Sequence, residues 1–198
     1  MRKLKHGRRR PVRKTILCII TLSFVFAAAQ NFYIKGAVSG EIKVEIKEVE
    51  SFVYCSLRHK GPFSEMEDVI NDLISTMKSL NIHPQGPMIG IYHTIPGPND
   101  PENMEIEWEV GFPIGEQSFT QAPEVRLQRK IWEATLVASA IHTGPYEETG
   151  EAITDIFQWM EANGYDKAGP VLEIYLDAGT PDPSSTTKKT EIWIPCKK

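Results

Sequence analysis

The stretch GPVLEIYL, residues 169–176, carries one carboxylate among residues that are typical of a half-buried strand. Because successive side chains of a strand point to opposite faces, Glu173 and Tyr175 share one face, whereas Leu172 and Ile174 share the other. A carboxylate in such surroundings loses hydration unless it faces water, a hydrogen-bond donor or a cation. Desolvation raises its pKa and suits it to general acid–base catalysis, whereas the ionised form attracts a cation. Glu173 and Tyr175 are therefore candidate catalytic residues, and both are candidate ligand-binding residues.

The region that contains Glu173 repeats a segment found earlier in the chain. Gly-Pro-aromatic at 61–63 matches 144–146, and QGPMIGIY at 85–92 matches AGPVLEIY at 168–175, both at an offset of 83. EVGFPI at 109–114 matches EIWIPC at 191–196 at an offset of 82. This register predicts two similar units, 42–117 and 123–198, that share one core across a pseudo-twofold axis.

Each unit has the pattern of a βαββ element order. An extended stretch leads through the Gly-Pro-aromatic turn into a helix, whose apolar residues recur at helical spacing. These residues are Val69, Ile70, Leu73, Ile74, Met77 and Leu80 in the first unit, and Ile153, Ile156, Phe157 and Met160 in the second. The helices should end near Asn81 and Gly164, because Asn and Gly accept the left-handed conformation of a helix end. Two strands follow, so we expect an α+β fold: an antiparallel sheet with both helices on one face.

Strand alternation then predicts which side chains point away from the helices. We expect the apolar faces of the strands to pack on the helices, which leaves aromatic rings and carboxylates on the opposite face. The predicted ligand-binding residues on that face are Tyr92, Glu109, Glu173, Tyr175, Glu191 and Trp193. Gly90 is equivalent to Glu173, and Gly111 to Trp193, so one unit would supply a charge and a ring while the other supplies space. Alternatively, both glycines mark bulges and Glu173 is solvated on an open face.

In combination these motifs resemble the GyrI-like small-molecule-binding domain, which is also the effector-binding domain of multidrug-responsive bacterial transcription regulators. The resemblance covers residues 42–198 and implies a pocket between the two units, with aromatic walls and an acidic residue that meets lipophilic cations. Glu173 matches the family's glutamate in its GP-x-x-E-x-Tyr setting, and Trp193 matches a frequent pocket aromatic. These 198 residues hold no recognisable helix-turn-helix domain, so transcriptional control is not implied.

The resemblance leaves three functions open. Binding of a lipophilic, cationic or aromatic small molecule is the first. The second is hydrolysis of a reactive small molecule with Glu173 as general base, which some family members perform. The third is haem or tetrapyrrole binding, because SOUL-type proteins have a similar fold; His93 is the histidine nearest the predicted site, whereas the repeated His59 and His142 fit a structural role. No motif typical of a metal site is present, and we expect no metal and no cofactor.

The first 41 residues differ from the rest. Eight of the 22 Lys and Arg lie in residues 1–14 without an acid, so the remainder has 14 bases against 26 acids. That balance disfavours nucleic-acid binding. The uncharged run at 15–29 resembles a signal peptide, or a membrane anchor if it continues uncleaved through residue 34. We therefore expect residues 42–198 to be an exported monomeric domain, with Cys55 and Cys196 either bonded or free.

Overall fold

In the computed structural model, the chain is described for residues 42–97, 100–101, 104–115, 126–133, 135–177 and 186–198. The predicted signal or anchor lies outside these residues. The helices are α1 (Met66–Ser79) and α2 (Thr149–Ala162), each preceded by a short 3-10 turn, Phe63–Glu65 and Tyr146–Glu148. The strands are β1 (Glu45–Val49), β2 (Phe52–Gly61), β3 (Ile89–Tyr92), β4 (Ile106–Pro113), β5 (Gln128–Trp132), β6 (Thr135–Thr143), β7 (Asp166–Lys167), β8 (Val171–Tyr175) and β9 (Lys189–Lys197).

One antiparallel sheet joins the two predicted units. Its strand order is β1-β6-β9-β8-β3-β4-β2-β5, and β7 pairs with β9. The units meet where β3 pairs with β8, and there Gly90 is the direct partner of Glu173. Because these two residues are equivalent in the repeat, the pseudo-twofold axis passes between them. The predicted α+β fold, with an antiparallel sheet and helices on one face, is confirmed.

Each unit also contains a strand that the repeat motifs did not predict. β1 and β5 are equivalent in the repeat, since residues 45–49 and 128–132 differ by 83. β1 belongs in sequence to the first unit but pairs with β6 of the second, and β5 pairs with β2 of the first. The two units therefore exchange their first strands, which ties them together more closely than contact between β3 and β8 alone.

The helices bury most of the predicted apolar stripes. Val69, Leu73 and Met77 of α1 are buried, but Ile74 is 50% exposed, so the predicted stripe is too wide. Ile153, Ile156 and Met160 of α2 are buried as well. Asn81 has φ of 56° and Gly164 has φ of 73°, which confirms the predicted helix ends.

Two further findings concern membrane-spanning helices among the described residues and the two cysteines. Within the described ranges, no helix is long and apolar enough to cross a membrane. Cys55 on β2 and Cys196 on β9 are both buried and free. Burial raises the pKa of the Cys55 thiol to about 11, so this thiol is protonated and unreactive at neutral pH.

Candidate functional site

The six predicted ligand-binding residues lie on two different faces of the sheet. Tyr92 belongs to the same buried cluster as the helix residues Leu73 and Ile156, so it lies on the helix face. Glu173 is the register partner of Gly90 on β3 and of Ile192 on β9, and Ile192 also packs in that cluster. The prediction that Tyr92, Glu173 and Tyr175 point away from the helices is therefore wrong. Glu109, Glu191 and Trp193 do lie on the opposite face and cannot line the same site as Glu173.

The physical reason is that both faces of β8 are buried. All five residues of this central strand are buried, and Leu172 and Ile174 pack in a second apolar cluster with Tyr54 and Trp132. Alternation shows which side chains share a face, but it does not show which face receives the helices when each face is covered. The purely apolar side of β8 packs in this second cluster instead.

Three oxygen atoms form a compact triangle on the helix face. The hydroxyl of Tyr175 donates to Glu173 Oε2 at 2.7 Å, and the hydroxyl of Tyr92 lies 3.1 Å from the same atom. The two hydroxyl oxygens are 2.6 Å apart. Glu173 is only 3% exposed, and both tyrosines are buried with it. We call these three residues the tyrosine–glutamate cluster.

Burial dominates the electrostatics of this cluster. Desolvation raises the pKa of Glu173 above its usual value of 4.5, although hydrogen bonds from Tyr175 and Tyr92 act against it. The pKa values of Tyr92 and Tyr175 are also raised, first by desolvation and then by the charge of Glu173. Both hydroxyls therefore keep their protons at neutral pH and serve as donors to the carboxylate.

Gly90 makes room for the cluster rather than for a ligand. A Cβ atom at this position would lie 2.8 Å from Tyr175 Oη and 2.9 Å from Tyr92 Oη. The expected space at Gly90 is thus filled by the tyrosine hydroxyls. Gly111 leaves no free space either, because a Cβ atom there would clash with the backbone oxygen of Cys55. The idea that the two glycines supply ligand space is therefore wrong.

Two aromatic rings that the sequence analysis assigned only to turns cover the tyrosines. Phe63 packs edge-on against Tyr92 with a centroid distance of 5.6 Å, and Tyr146 packs in the same way against Tyr175 at 5.1 Å. Both rings come from the Gly-Pro-aromatic motifs, at equivalent positions of the repeat. Phe63 is 40% exposed, so this layer lies between the tyrosine–glutamate cluster and solvent. Together with Thr149 at the start of α2, these residues complete the candidate site, and the duplication of their motif was the signal that could have identified them.

The opposite face carries two equivalent ion-pair networks. Glu109 accepts hydrogen bonds from Lys130 at 2.7 Å and from Ser56 at 2.7 Å. At the equivalent positions of the repeat, Glu191 is bound by Lys47 and Ser139. In each network the lysine comes from an exchanged first strand. The predicted ligand-binding carboxylates Glu109 and Glu191 are thus neutralised within the protein, which is a structural role.

The pKa values of these two carboxyls agree with that role. Burial alone would raise the pKa of Glu109, but the hydrogen bonds from Lys130, Ser56 and His93 outweigh it and lower the pKa. For Glu191, burial also acts to raise the pKa, and the bonds from Lys47 and Trp193 lower it overall. Trp193 donates to Glu191 at 2.9 Å, and its ring contacts Phe52 and the Lys47 ammonium. Trp193 therefore belongs to this network and not to the Glu173 site.

The histidines make contacts of their own. His93 Nε2 lies 2.8 Å from Glu109 Oε1 on the face opposite Glu173, so it is not positioned to bind a ligand in that site. His59 contacts Glu65 and the ring of Trp108, whereas His142 contacts the backbone oxygen of Pro145. No group of three or more potential metal ligands lies together in the part of the chain that the structure describes.

Comparison with known proteins identifies a family whose sequences resemble this chain. Residues 42–197 match the family model of the GyrI-like small molecule binding domain. No curated protein matches the sequence.

Several solved structures share the fold. The C-terminal domain of EcmrR superposes with a TM-score of 0.67 at 22% identity, covering 79% of this chain and 98% of that domain. EcmrR in its DNA complex gives a TM-score of 0.65 at 23% identity over 80% of this chain, which spans only 58% of the EcmrR chain. SAV2435 bound to tetraphenylphosphonium gives a TM-score of 0.55 at 11% identity, covering 78% of this chain and 94% of SAV2435.

Proposed function

Because this chain belongs to the GyrI-like small molecule binding domain family, we propose that it binds a lipophilic organic cation beside Glu173. Two glutamates are buried among the residues described, Glu109 and Glu173. Glu109 forms an ion pair with Lys130. Glu173 instead forms hydrogen bonds with neutral hydroxyls, and among the described residues it has no ion pair with Lys or Arg. A buried carboxylate gains most from a cation that arrives already desolvated. The contrast between these two glutamates is the observation that carries the proposal.

The surrounding rings suit such a ligand. The Phe63 and Tyr146 rings form the outer layer over Tyr92 and Tyr175. An aromatic face attracts a cation by about 0.5–2 kcal/mol, more when the cation is desolvated. To reach Glu173, the ligand displaces the 40% exposed ring of Phe63, which requires rotation of that side chain at its Gly-Pro turn and leaves Tyr146 and the sheet unchanged. The tetraphenylphosphonium complex of SAV2435, a protein with the same fold, supports a cation of this kind.

The test is an equilibrium titration of the purified protein with tetraphenylphosphonium. We expect saturable binding, weakened about tenfold or more by Glu173→Gln, because a contact with a charged group is lost. Glu161→Gln is the matched control, since Glu161 is exposed on α2 and the substitution removes the same charge. Equal affinity in all three proteins would contradict the proposal.

Hydrolysis of a reactive small molecule is the second candidate function. It is favoured by the raised pKa of Glu173 together with the Tyr175 hydroxyl 2.7 Å away, a pair that could activate water and hold an electrophile. A Listeria innocua protein with this fold, at 17% identity and a TM-score of 0.53, is named a hydrolase. If Glu173 is the base, Glu173→Gln abolishes turnover of an activated electrophile and keeps ligand affinity within about tenfold. Equal loss of binding and turnover would contradict a base role.

We also propose that the domain acts outside the cytoplasmic membrane. The support is the sequence of the first 34 residues, in which a basic segment precedes an uncharged apolar run. Positive charges hold an N-terminus in the cytoplasm and direct the following chain across the membrane. The ligand would then be an extracytoplasmic molecule.

A further inference from the structure

The two units differ in polarity at the positions around Glu173. Four pairs of equivalent residues contribute to the helix face near the pseudo-twofold axis, and in each the first unit carries an apolar residue or glycine where the second carries a polar one. The pairs are Phe63 and Tyr146, Met66 and Thr149, Gly90 and Glu173, and Trp108 and Thr190. The site is therefore apolar on the side of the first unit and polar on the side of the second.

Two of the polar groups have no partner within the described chain. The hydroxyl oxygens of Tyr146 and Thr190 are both buried without a hydrogen bond. Thr190 is completely buried, whereas the equivalent Trp108 donates its indole N–H to the backbone oxygen of Gly61 at 3.1 Å. A buried hydroxyl without a partner has lost its hydrogen bonds to water and destabilises the folded protein, so it calls for an explanation.

Both hydroxyl-bearing residues flank the tyrosine–glutamate cluster. Thr190 is the register partner of Tyr175 and therefore lies on the same face, diagonal to Glu173. Tyr146 packs on the Tyr175 ring from above. The carboxylate and the two hydroxyls thus lie around Tyr175. The carboxylate accepts hydrogen bonds, and each unpaired hydroxyl has free lone pairs, so a ligand group that carries several N–H donors next to a positive charge matches all three.

We propose that the ligand is an aromatic protonated amine, whose N–H groups bind Tyr146 Oη and Thr190 Oγ1 as well as the Glu173 carboxylate. This inference rests on the proposed function and narrows its ligand class. The aromatic part of the ligand lies against Phe63 on the apolar side. A fully substituted onium ion satisfies only the charge of Glu173, because it has no N–H group to donate.

Two probes that share a skeleton test the amine. The purified full chain is titrated with 4-(aminomethyl)biphenyl and with its N,N,N-trimethyl derivative, and the ratio of the two affinities is measured. We expect Thr190→Val and Tyr146→Phe each to lower the amine's affinity about tenfold and to leave that of the trimethyl compound within about twofold. Tyr146→Phe gives the second unit a phenylalanine, as the first unit has at the equivalent residue Phe63.

Three further variants keep the test interpretable. Thr190→Ser retains the hydroxyl and should keep the amine's affinity within about threefold, which separates the hydrogen bond from a packing defect. Thr154 bonds to the Gly150 oxygen on the exposed side of α2, and Tyr165 stacks on Trp159, so Thr154→Val and Tyr165→Phe should change neither affinity.

The outcomes distinguish this inference from the proposed function. If both probes bind in a Glu173-dependent way and neither responds to Thr190→Val or Tyr146→Phe, the amine assignment is overturned and the cation site stands. If neither probe depends on Glu173, both the amine assignment and the proposed cation site are overturned.

Discussion

Gly90 and Glu173 are equivalent residues of the two units and direct partners across β3 and β8. A symmetric repeat would place two identical side chains face to face at this point, since the pseudo-twofold axis passes between them. Two glutamates there would repel each other as ions, and a Cβ at residue 90 would already clash with both tyrosine hydroxyls. The single carboxylate at the axis is therefore possible because its counterpart is glycine.

This relationship predicts the effect of filling residue 90. Gly90→Ala should lower the free energy of unfolding by about 1–3 kcal/mol, because the added methyl group lies within 3 Å of the Tyr92 and Tyr175 hydroxyls. It should also weaken cation binding by separating the hydroxyls from Glu173. Chemical denaturation and ligand titration measure the two effects. Gly150→Ala is the control, since a Cβ at Gly150 meets nothing within 4 Å and should be neutral or slightly stabilising. Equal behaviour of the two variants would contradict the clash.

The raised pKa of Glu173 predicts how cation binding depends on pH. Only the ionised carboxylate attracts the ligand, so the affinity for tetraphenylphosphonium should rise as pH increases through the folded-state pKa, which lies above 4.5. Tetraphenylphosphonium keeps its charge throughout this range. Titration at a series of pH values in wild type and Glu173→Gln measures the effect. The variant serves as the reference because it keeps every other ionisable group and lacks only the Glu173 carboxyl. A rise of the same size in the variant would exclude Glu173 as its source.

Stability should show the opposite trend with pH. A carboxyl whose pKa is raised on folding favours the folded state when it is protonated. Its contribution to the free energy of unfolding is fully present below the unfolded-state value of about 4.5 and is lost as pH rises through the folded-state pKa. Glu173→Gln should therefore gain stability relative to wild type as pH rises from 4 to 8. Denaturant titrations at several pH values measure the difference, and a constant difference would contradict the raised pKa.

The two ion-pair networks should differ in strength although their residues are equivalent. The Glu109 side chain is 2% exposed and that of Glu191 is 20% exposed, so loss of the lysine leaves Glu109 far more desolvated. We expect Lys130→Met to cost about 3 kcal/mol or more in the free energy of unfolding. Lys47→Met should cost about 1 kcal/mol, as for a partly solvated pair. Denaturation of the two single variants gives the comparison, and an equal cost would show that burial does not govern these networks.

Export can be tested in cells. Alkaline phosphatase fused after Lys198 should be active, because residues 1–34 resemble an export signal and the enzyme folds correctly only outside the cytoplasm. An inactive phosphatase fusion, combined with a fluorescent cytoplasmic reporter at the same junction, would contradict export.

The sequence was sufficient for the repeat, the antiparallel sheet and the helix ends, because each leaves a local signal. Offsets of 83 and 82 residues marked the units, and Asn81 and Gly164 marked the helix ends through their left-handed conformation. The exchange of β1 and β5 left no such signal. Whether each of these strands pairs within its own unit or with the other unit depends on contacts between residues far apart in sequence.

The site was only partly predictable for a related reason. Alternation correctly grouped Glu173 with Tyr175, but both faces of β8 are buried, so the apolar side alone did not indicate the helix face. The lysine partners of Glu109 and Glu191 come from the exchanged strands and were therefore missed. The role of Gly90 depends on the positions of two hydroxyl oxygens, which no residue pattern encodes.

The central claim is that Glu173 supplies the negative charge that selects a cationic ligand, and charge selectivity measures this directly. The affinities of 4-biphenyl-trimethylammonium and its neutral isostere 4-tert-butylbiphenyl are determined for wild type, Glu173→Gln and the surface control Glu161→Gln. We predict that the ratio of cation to neutral affinity falls about tenfold or more in Glu173→Gln and stays unchanged in Glu161→Gln. The same ratio in all three proteins would contradict the assignment of Glu173 as the cation-binding residue.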